Sequence, residues 1–158
     1  MKACGVIFDR DGTIVFDVPY NGDPSAVAPV PGVREALDRL RAAGIPIALV
    51  SNQSGVGRGM LTLEQVEAVN RRVEELLGPF SVMLYCPHAP DDDCECRKPK
   101  PKLILDAARA MGVDSACCVV IGDKTSDLEA ARNARARGVF VDARHTAVDA
   151  INALLADF

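Results

Sequence analysis

Residues 5–14, GVIFDRDGTI, place an apolar run directly before two aspartates, Asp9 and Asp11. The run is rich in Val, Ile and Phe, which predicts a buried β-strand. An acid pair at the end of such a strand is either an acidic turn, in which Gly12 supplies an unusual backbone angle, or a reactive centre. The rest of the chain decides between these two interpretations.

The composition restricts the class of protein. The chain has 158 residues, a formal net charge of −4 and 49% hydrophobic residues, which predicts one domain, residues 1–158, with a core that needs no disulfides. No apolar stretch approaches the ~20 residues of a membrane-spanning helix, and the first residues do not form a secretory signal. No Lys/Arg stripe interleaved with aromatic residues suggests nucleic acid as a partner. We therefore expect a cytoplasmic monomer with neither a membrane nor a nucleic-acid partner.

Strand-like and helix-like stretches alternate along the chain. After the first strand, further strands are predicted at residues 45–51, 82–85, 117–122 and 139–141. Helical apolar spacing lies between them, with one helix entered through the capping residue Thr62 and another ending at Gly138. This alternation predicts an α/β fold, a doubly wound and mostly parallel sheet flanked by helices.

Polar residues follow four of the predicted strands. The two aspartates follow the first strand, SNQSG (residues 51–55) the second, a Cys/His cluster the third and GDKTSD (residues 122–127) the fourth. Ligands of such sheets bind beyond the carboxyl ends of the strands. We therefore expect the four groups to converge on one edge of the sheet.

Each of these groups also has a purely structural interpretation. The Ser-Asn pair could end a strand through local hydrogen bonds, and Lys98 could be a solvated surface lysine. Asp123 or Thr125 could cap the next helix, with Asp127 adding negative charge to its first turn. Together, however, the groups supply the neutral donors, the cation and the carboxylates that a phosphate site needs.

The cysteines divide into two sets. Four residues of metal-ligand type lie within eleven positions of an otherwise polar loop: Cys86, His88, Cys94 and Cys96. Three sulfurs and one imidazole suit tetrahedral Zn²⁺, and because no ligand position is spare we expect a structural site that positions the adjacent Arg97 and Lys98. The remaining cysteines lie in apolar runs and are interpreted as small core residues: Cys4, Cys117 and Cys118.

The order of the motifs resembles a known superfamily. DRDGT, a Ser-Asn after the second strand, a Lys in an RKP loop and GDKxxD after the fourth strand resemble the haloacid dehalogenase superfamily of phosphohydrolases over nearly the whole chain. More narrowly, FDRDGTI, SNQSGVGRG, CPH…CxCRKP and GDK resemble the group of D-glycero-D-manno-heptose 1,7-bisphosphate phosphatases and the phosphatase portion of histidinol-phosphate phosphatases.

The resemblance implies a Mg²⁺-dependent phosphomonoester hydrolase that works through an aspartyl-phosphate intermediate. Asp9 would be the nucleophile, and Asp11 would act first as general acid and then as general base. Mg²⁺ would be held by Asp9, the backbone carbonyl of Asp11 and Asp123. Ser51 and Lys98 would stabilise charge on the transferring phosphoryl oxygens.

The resemblance also implies how a substrate is recognised. Besides Ser51 and Lys98, the implied substrate contacts are Asp17, Tyr20, Asn52, Gln53, Ser54, Arg97 and Lys124. No segment is long enough for a large cap domain, so the zinc loop and residues 17–29 must recognise the substrate. Heptose 1,7-bisphosphate, cleaved at its 7-phosphate, is the substrate expected first, and histidinol phosphate or another small sugar phosphate is the alternative. An idle zinc-stabilised module that binds a phosphorylated ligand is a hypothesis of a different class, and it would not need both aspartates of DRD.

Overall fold

Five parallel strands form one sheet in the computed structural model, which describes residues 2–157. The strands are β1 (Gly5–Phe8), β2 (Ile47–Asn52), β3 (Val82–Cys86), β4 (Cys118–Gly122) and β5 (Arg137–Phe140), in the spatial order β3-β2-β1-β4-β5. The α-helices are α1 (Val33–Ala42), α2 (Leu63–Leu77), α3 (Lys102–Met111), α4 (Thr125–Asn133) and α5 (Ala147–Leu155). The predicted doubly wound α/β fold without a large cap is confirmed.

Helices cover both faces of the sheet. In β1, Val6 and Phe8 belong to a core with α1, α2 and α5, whereas Ile7 belongs to a second core with α3 and α4. Successive residues of a strand point to opposite faces, so a strand covered on both faces reads as an unbroken apolar run. No helix among residues 2–157 is long and apolar enough to cross a membrane.

Helix α4 ends earlier than its sequence pattern predicts. The helix was expected to continue to Gly138, but α4 ends at Asn133 and Gly138 lies in β5. Arg135 has a left-handed φ of 64°, which ends the helical path and turns the chain into the strand. A Cβ at Gly138 would crowd Leu128, so the glycine allows β5 to lie directly against α4.

The two helix starts singled out in the sequence differ. Thr62 caps α2 as predicted, because its side chain accepts a hydrogen bond from the backbone N–H of Gln65. Neither Asp123 nor Thr125 caps α4, whose N-cap residue is Lys124. The Asp127 carboxylate accepts the Lys124 backbone N–H instead, at 3.1 Å.

One expectation about the cysteines is wrong. Cys4 and Cys117 are joined by a disulfide bond rather than lying as separate core residues. Cys4 immediately precedes β1 and Cys117 immediately precedes β4, and the parallel pairing of these strands brings the two Cα atoms to 5.4 Å. Cys118 is a buried free cysteine as expected, and burial raises the pKa of its thiol to about 11.

Candidate active site

The ends of β1 and β4 lie where the strand order reverses. The chain builds the sheet outward from β1 through β2 and β3, and then returns to place β4 and β5 on the other side. The carboxyl ends of strands at such a point form a crevice. Asp9 directly follows β1 and Asp123 directly follows β4, and the backbone N–H of Asp9 donates to the Ile121 carbonyl at 2.9 Å. The fold therefore brings these two carboxylates together.

Three carboxylates gather in the crevice. Asp9, Asp123 and Asp127 each offer an oxygen within 4.8 Å of the others. Thr13 donates from its hydroxyl to Oδ1 of Asp123 at 3.3 Å. Gly12 has a φ of 83°, and a Cβ there would overlap the Asp123 carboxylate, so the turn after β1 needs glycine on both counts.

Lys98 lies between two of the carboxylates and is not a solvated lysine. Its Nζ is 3.0 Å from Oδ1 of Asp9 and 2.5 Å from Oδ1 of Asp127, and it donates to the Val50 carbonyl at 2.8 Å. The residue is only 4% exposed. Burial acts to lower the pKa of Lys98, but the charges of Asp9 and Asp127 outweigh it and raise that pKa. The ammonium is thus a fixed positive charge beside Asp9.

The negative charge exceeds what Lys98 can balance. Burial, together with a hydrogen bond to Asp9 and the Asp9 charge, raises the pKa of Asp123 to about 7. Burial and the charge of Asp9 also raise the pKa of Asp127, against the opposing effect of Lys98. A cluster of oxygen donors with surplus negative charge fits a hard divalent cation such as Mg²⁺.

Asp11 stands apart from the three-carboxylate cluster. Its carboxylate accepts hydrogen bonds from Nε and Nη2 of Arg10, at 3.1 and 2.9 Å, and from Nε2 of Gln53 at 3.1 Å. The residue lines two adjoining cavities: a narrow pocket that also contains Asp9 and Lys98, and a larger one of about 250 Å³. Asp11 therefore lies at the boundary between them.

Most of the expected substrate residues line the larger cavity, namely Asp17, Tyr20, Asn52, Gln53, Ser54 and Lys124. Ser51 lies at neither cavity wall; it is 4% exposed, and its hydroxyl accepts a hydrogen bond from Gln53 Nε2 at 3.3 Å. Arg97 is half-buried, and its Nη1 is buried without a hydrogen-bond partner among residues 2–157. These two residues are near neighbours of cavity residues in the chain rather than part of the walls.

Asn52 has a contact that its position in SNQSG did not suggest. Its Nδ2 donates to the Lys98 carbonyl at 3.2 Å, and its Oδ1 accepts the Lys98 backbone N–H at 3.0 Å. Two hydrogen bonds from one amide fix the backbone of the loop that carries the buried lysine. Asn52 therefore orients Lys98 in addition to lining both cavities.

Sequence reasoning missed two residues of the site. Asp127 was expected to supply first-turn charge, but it is 1% exposed and pairs with Lys98. The available signal was its place as the last residue of GDKxxD. Arg10 was not singled out, although it is 2% exposed and contacts Asp11 through two nitrogens. A charged residue between a buried strand and a glycine turn was the corresponding signal.

The cysteine and histidine cluster has the geometry of a metal centre. One ligand atom from each of four residues lies within 4.8 Å of the others: Cys86, His88, Cys94 and Cys96. Three pairs of ligand atoms lie at close range: Cys86 Sγ is 3.4 Å from His88 Nδ1 and 3.6 Å from Cys94 Sγ, and His88 Nδ1 is 3.3 Å from Cys96 Sγ. Tetrahedral Zn²⁺ with Zn–S near 2.3 Å and Zn–N near 2.0 Å places its ligands about 3.5–3.8 Å apart. These three separations agree with a tetrahedral zinc site to within a few tenths of an ångström.

The thiols of this cluster differ in their electrostatics. Burial is the main cause that raises the pKa of the Cys86 thiol to about 12. Burial opposes ionisation of Cys94 as well, but hydrogen bonds from the backbone of Arg97 and with Cys86 lower its pKa to about 7. Within residues 2–157, Cys86 thus has no nearby positive charge to stabilise its thiolate, whereas Cys94 ionises readily. A bound Zn²⁺ would stabilise the thiolate form of both residues.

Comparison with known proteins places the chain in a family. A model of the haloacid dehalogenase-like hydrolases matches residues 20–135, well over half of the sequence. The chain belongs to this family of hydrolases. The predicted resemblance is confirmed.

The names of similar proteins describe a more specific activity than the family does. The chain is 40% identical over 141 residues to the D-glycero-beta-D-manno-heptose-1,7-bisphosphate 7-phosphatase of Pseudomonas aeruginosa, with 86% of this chain and 79% of that protein covered. It is 36% identical over 137 residues to the enzyme of the same name from Helicobacter pylori, with 84% and 79% covered. The crystal structure of D,D-heptose 1,7-bisphosphate phosphatase from B. bronchiseptica with magnesium and phosphate superposes with a TM-score of 0.81 at 32% identity, covering 100% of this chain and 87% of that one. These relatives are phosphatases, as expected for this chain.

Proposed function

We propose that this protein is a Mg²⁺-dependent phosphatase that removes the 7-phosphate of D-glycero-D-manno-heptose 1,7-bisphosphate through an aspartyl-phosphate at Asp9. The observation that carries the proposal is the separation of the two acids of DRD. Asp9 lies against Lys98 in the narrow pocket, whereas Asp11 lies at the boundary with the larger cavity. A nucleophile and a proton donor need this arrangement on either side of the bond to be broken.

The reaction has two chemical steps. First, an Asp9 oxygen bonds to phosphorus, the bond from phosphorus to the sugar oxygen breaks, and that oxygen takes a proton from Asp11. Next, a water oxygen bonds to phosphorus, the water gives a proton to Asp11, and the bond from phosphorus to Asp9 breaks. The sugar alcohol and inorganic phosphate leave, and both aspartates return to their initial states.

Charged groups around Asp9 support this chemistry. Asp9, the backbone carbonyl of Asp11 and Asp123 would hold Mg²⁺, which when bound offsets repulsion between an anionic nucleophile and an anionic substrate. Lys98 adds a second positive charge, and Asp127 holds its ammonium in place. Ser51 is proposed as a neutral donor for phosphoryl oxygens; it directly precedes Asn52, which lines the pocket, and is not itself part of the wall.

The larger cavity supports a small polar substrate. Its volume of about 250 Å³ is below the roughly 300–1,000 Å³ of pockets for drug-sized ligands. Carboxylate, amide and hydroxyl groups of Asp17, Gln53 and Ser54 suit the hydroxyls of a sugar. Lys124 at its wall supplies a cation for the second phosphate of a bisphosphate. The names of the relatives favour heptose 1,7-bisphosphate over histidinol phosphate.

The cysteine cluster completes the proposal. Zn²⁺ bound by Cys86, His88, Cys94 and Cys96 would have no open position and would act structurally. The loop it folds leads directly into Arg97 and Lys98. We further propose that the protein acts as a cytoplasmic monomer.

Phosphate release from a panel of substrates tests the function. Heptose 1,7-bisphosphate is compared with heptose 1-phosphate, which lacks the scissile group, with histidinol phosphate, and with a Mg²⁺-free reaction. We expect Mg²⁺-dependent release from the bisphosphate and a loss of at least about a thousandfold in Asp9→Asn. Asp157→Asn, at an exposed position, is the matched control. Turnover by Asp9→Asn at the wild-type rate would exclude Asp9 as the nucleophile. Faster phosphate release from histidinol phosphate than from heptose 1,7-bisphosphate would exclude the latter as the preferred substrate. Binding of these ligands without turnover would indicate an idle binding module.

A further inference from the structure

The guanidinium of Arg10 is buried directly behind the proposed active site. Arg10 is 2% exposed, although it immediately follows the nucleophile position Asp9 in the chain. A buried guanidinium is costly unless hydrogen-bonded partners surround it. The backbone of Arg10 is fixed too, since its carbonyl accepts the N–H groups of three residues of the following turn, Thr13, Ile14 and Val15. The backbone of Arg10 therefore has little freedom, and the position of the guanidinium depends on its side-chain partners.

The Arg10 side chain holds both oxygens of Asp11. Nε donates to Oδ1 at 3.1 Å and Nη2 donates to Oδ2 at 2.9 Å, which is a two-point contact that fixes the plane of the carboxylate. Gln53 Nε2 adds a second hydrogen bond to Oδ2 at 3.1 Å. Among these hydrogen bonds Oδ1 accepts one and Oδ2 accepts two, which leaves Oδ1 with the spare lone pair for a transferable proton.

Helix α2 supplies the third partner of Arg10. Asn70 Oδ1 accepts a hydrogen bond from Arg10 Nη1 at 2.8 Å. Asn70 is half-buried and sixty residues away in sequence, and it does not line either cavity around Asp11. Among residues 2–157 no other side chain accepts from Nη1, so loss of Asn70 would leave that group unsatisfied at a buried position.

We propose that Asn70 and Arg10 are positioning residues for proton transfer to the leaving group: Asn70 fixes Arg10, and Arg10 fixes the Asp11 carboxylate between the two cavities. This inference rests on the proposed phosphatase function. Asn70 touches neither substrate nor reacting atoms in this scheme and acts through Arg10 alone. If Asn70 is removed, the guanidinium can rotate toward another acceptor, and the carboxylate loses its fixed plane.

The leaving group separates this role from a merely structural one. A sugar oxygen needs a proton as its bond to phosphorus breaks, whereas 4-nitrophenolate is stable as an anion and leaves without one. The ratio kcat/KM reports events up to the first transfer of the phosphoryl group. A misplaced Asp11 should therefore lower kcat/KM for the sugar phosphate and spare kcat/KM for 4-nitrophenyl phosphate.

The experiment compares Asn70→Leu with wild type on heptose 1,7-bisphosphate and on 4-nitrophenyl phosphate. We expect kcat/KM for the sugar substrate to fall about 10–100-fold and that for the aryl substrate to change less than about threefold. Asn70→Asp keeps an oxygen acceptor for Nη1 and should restore most of the sugar activity. Asn152→Leu, the same exchange at an exposed position of α5, should change neither ratio.

Three results would overturn the inference: an equal loss on both substrates, no loss on either, or no rescue by Asn70→Asp. If Asn70→Leu does not fold, as judged by circular dichroism, the milder Asn70→Ser provides the same comparison of substrates. A wild-type protein that hydrolyses neither compound contradicts the proposed function itself. A wild type that hydrolyses both, with variants that leave the ratio of the two kcat/KM values unchanged, contradicts only the role of Asn70 and Arg10.

Discussion

Replacing Asp123 with asparagine is expected to stabilise the protein in the absence of Mg²⁺ while removing its response to Mg²⁺. Burial and Asp9 raise the pKa of Asp123 from 3.8 to about 7. A pKa difference of about three corresponds to about 4 kcal/mol if it acts in full at pH 8. Because Asp123 is only half-buried, solvent screening reduces this to about 1–2 kcal/mol. For a chain of this size the melting temperature should rise by about 3–6 °C.

The effect must depend on pH with a defined sign. A raised pKa in the folded protein means that ionisation of Asp123 opposes folding. Below about pH 4 the carboxyl carries its proton in both states, so the substitution changes little. The advantage of Asp123→Asn should grow between about pH 4 and pH 7 and remain constant above pH 7. The asparagine keeps Oδ1 for the hydroxyl of Thr13, so no other contact needs to change.

Thermal unfolding, monitored by circular dichroism in buffer with and without Mg²⁺, measures both the stability gained without the ion and the loss of stabilisation by it. Mg²⁺ at 100 times its dissociation constant should stabilise the wild type by about 2.7 kcal/mol and leave Asp123→Asn unchanged. Asp142→Asn is a control of opposite sign, because backbone hydrogen bonds from His145 and Arg144 lower the pKa of Asp142. A variant that melts at or below the wild type at pH 8 without Mg²⁺, or a difference independent of pH, would refute this reasoning.

The other predictions concern three further parts of the site. Gly12→Ala should abolish Mg²⁺-dependent phosphate release, whereas Gly44→Ala, with a φ of 77° and open space around it, should cost only about 1 kcal/mol of stability; equal activities would contradict this. Lys98→Met leaves buried carboxylates unpaired and should lower the free energy of unfolding by about 3–5 kcal/mol in urea titrations at neutral pH, and an unchanged midpoint would count against the ion pairs. Elemental analysis should find about one zinc per chain, and Cys96→Ser should lose zinc and phosphatase activity together; full activity without zinc would show that the loop does not need it.

The sequence predicted the elements of the fold better than the contacts between them. The run before Asp9 and the rule for strand ends were enough to bring the acids of β1 and β4 to one crevice, because both depend on local pattern and on parallel pairing. The disulfide between Cys4 and Cys117 depends on which strands are neighbours, and strand order cannot be read from apolar spacing. The early end of α4 depends on the left-handed conformation of Arg135, a residue type that does not signal it.

Side chains with two compatible uses were harder to predict. A carboxylate in the first turn of a helix satisfies a backbone N–H whether or not it does anything else, so the sequence explained Asp127 completely without Lys98. The structure shows that one side chain does both: Oδ2 accepts the N–H of Lys124 and Oδ1 pairs with Lys98. Asp127 was therefore left out of the predicted site because of a structural role that it does have.

The cysteine cluster and the buried lysine form one connected unit. Asn52 and Cys86 are paired in register at the ends of β2 and β3, and the Cys86 carbonyl accepts the backbone N–H of Gln53 at 2.7 Å. The chain then leaves Cys86, passes the other three cluster residues and returns to Asn52, whose amide binds the backbone of Lys98 at both N–H and carbonyl. A polar loop with few apolar side chains cannot hold a buried ammonium through its own packing. One metal bound by the four cluster residues would instead fix the loop from its start at Cys86 to Cys96. Asn52 holds the end of the loop at Lys98. The two restraints together would determine where Lys98 lies.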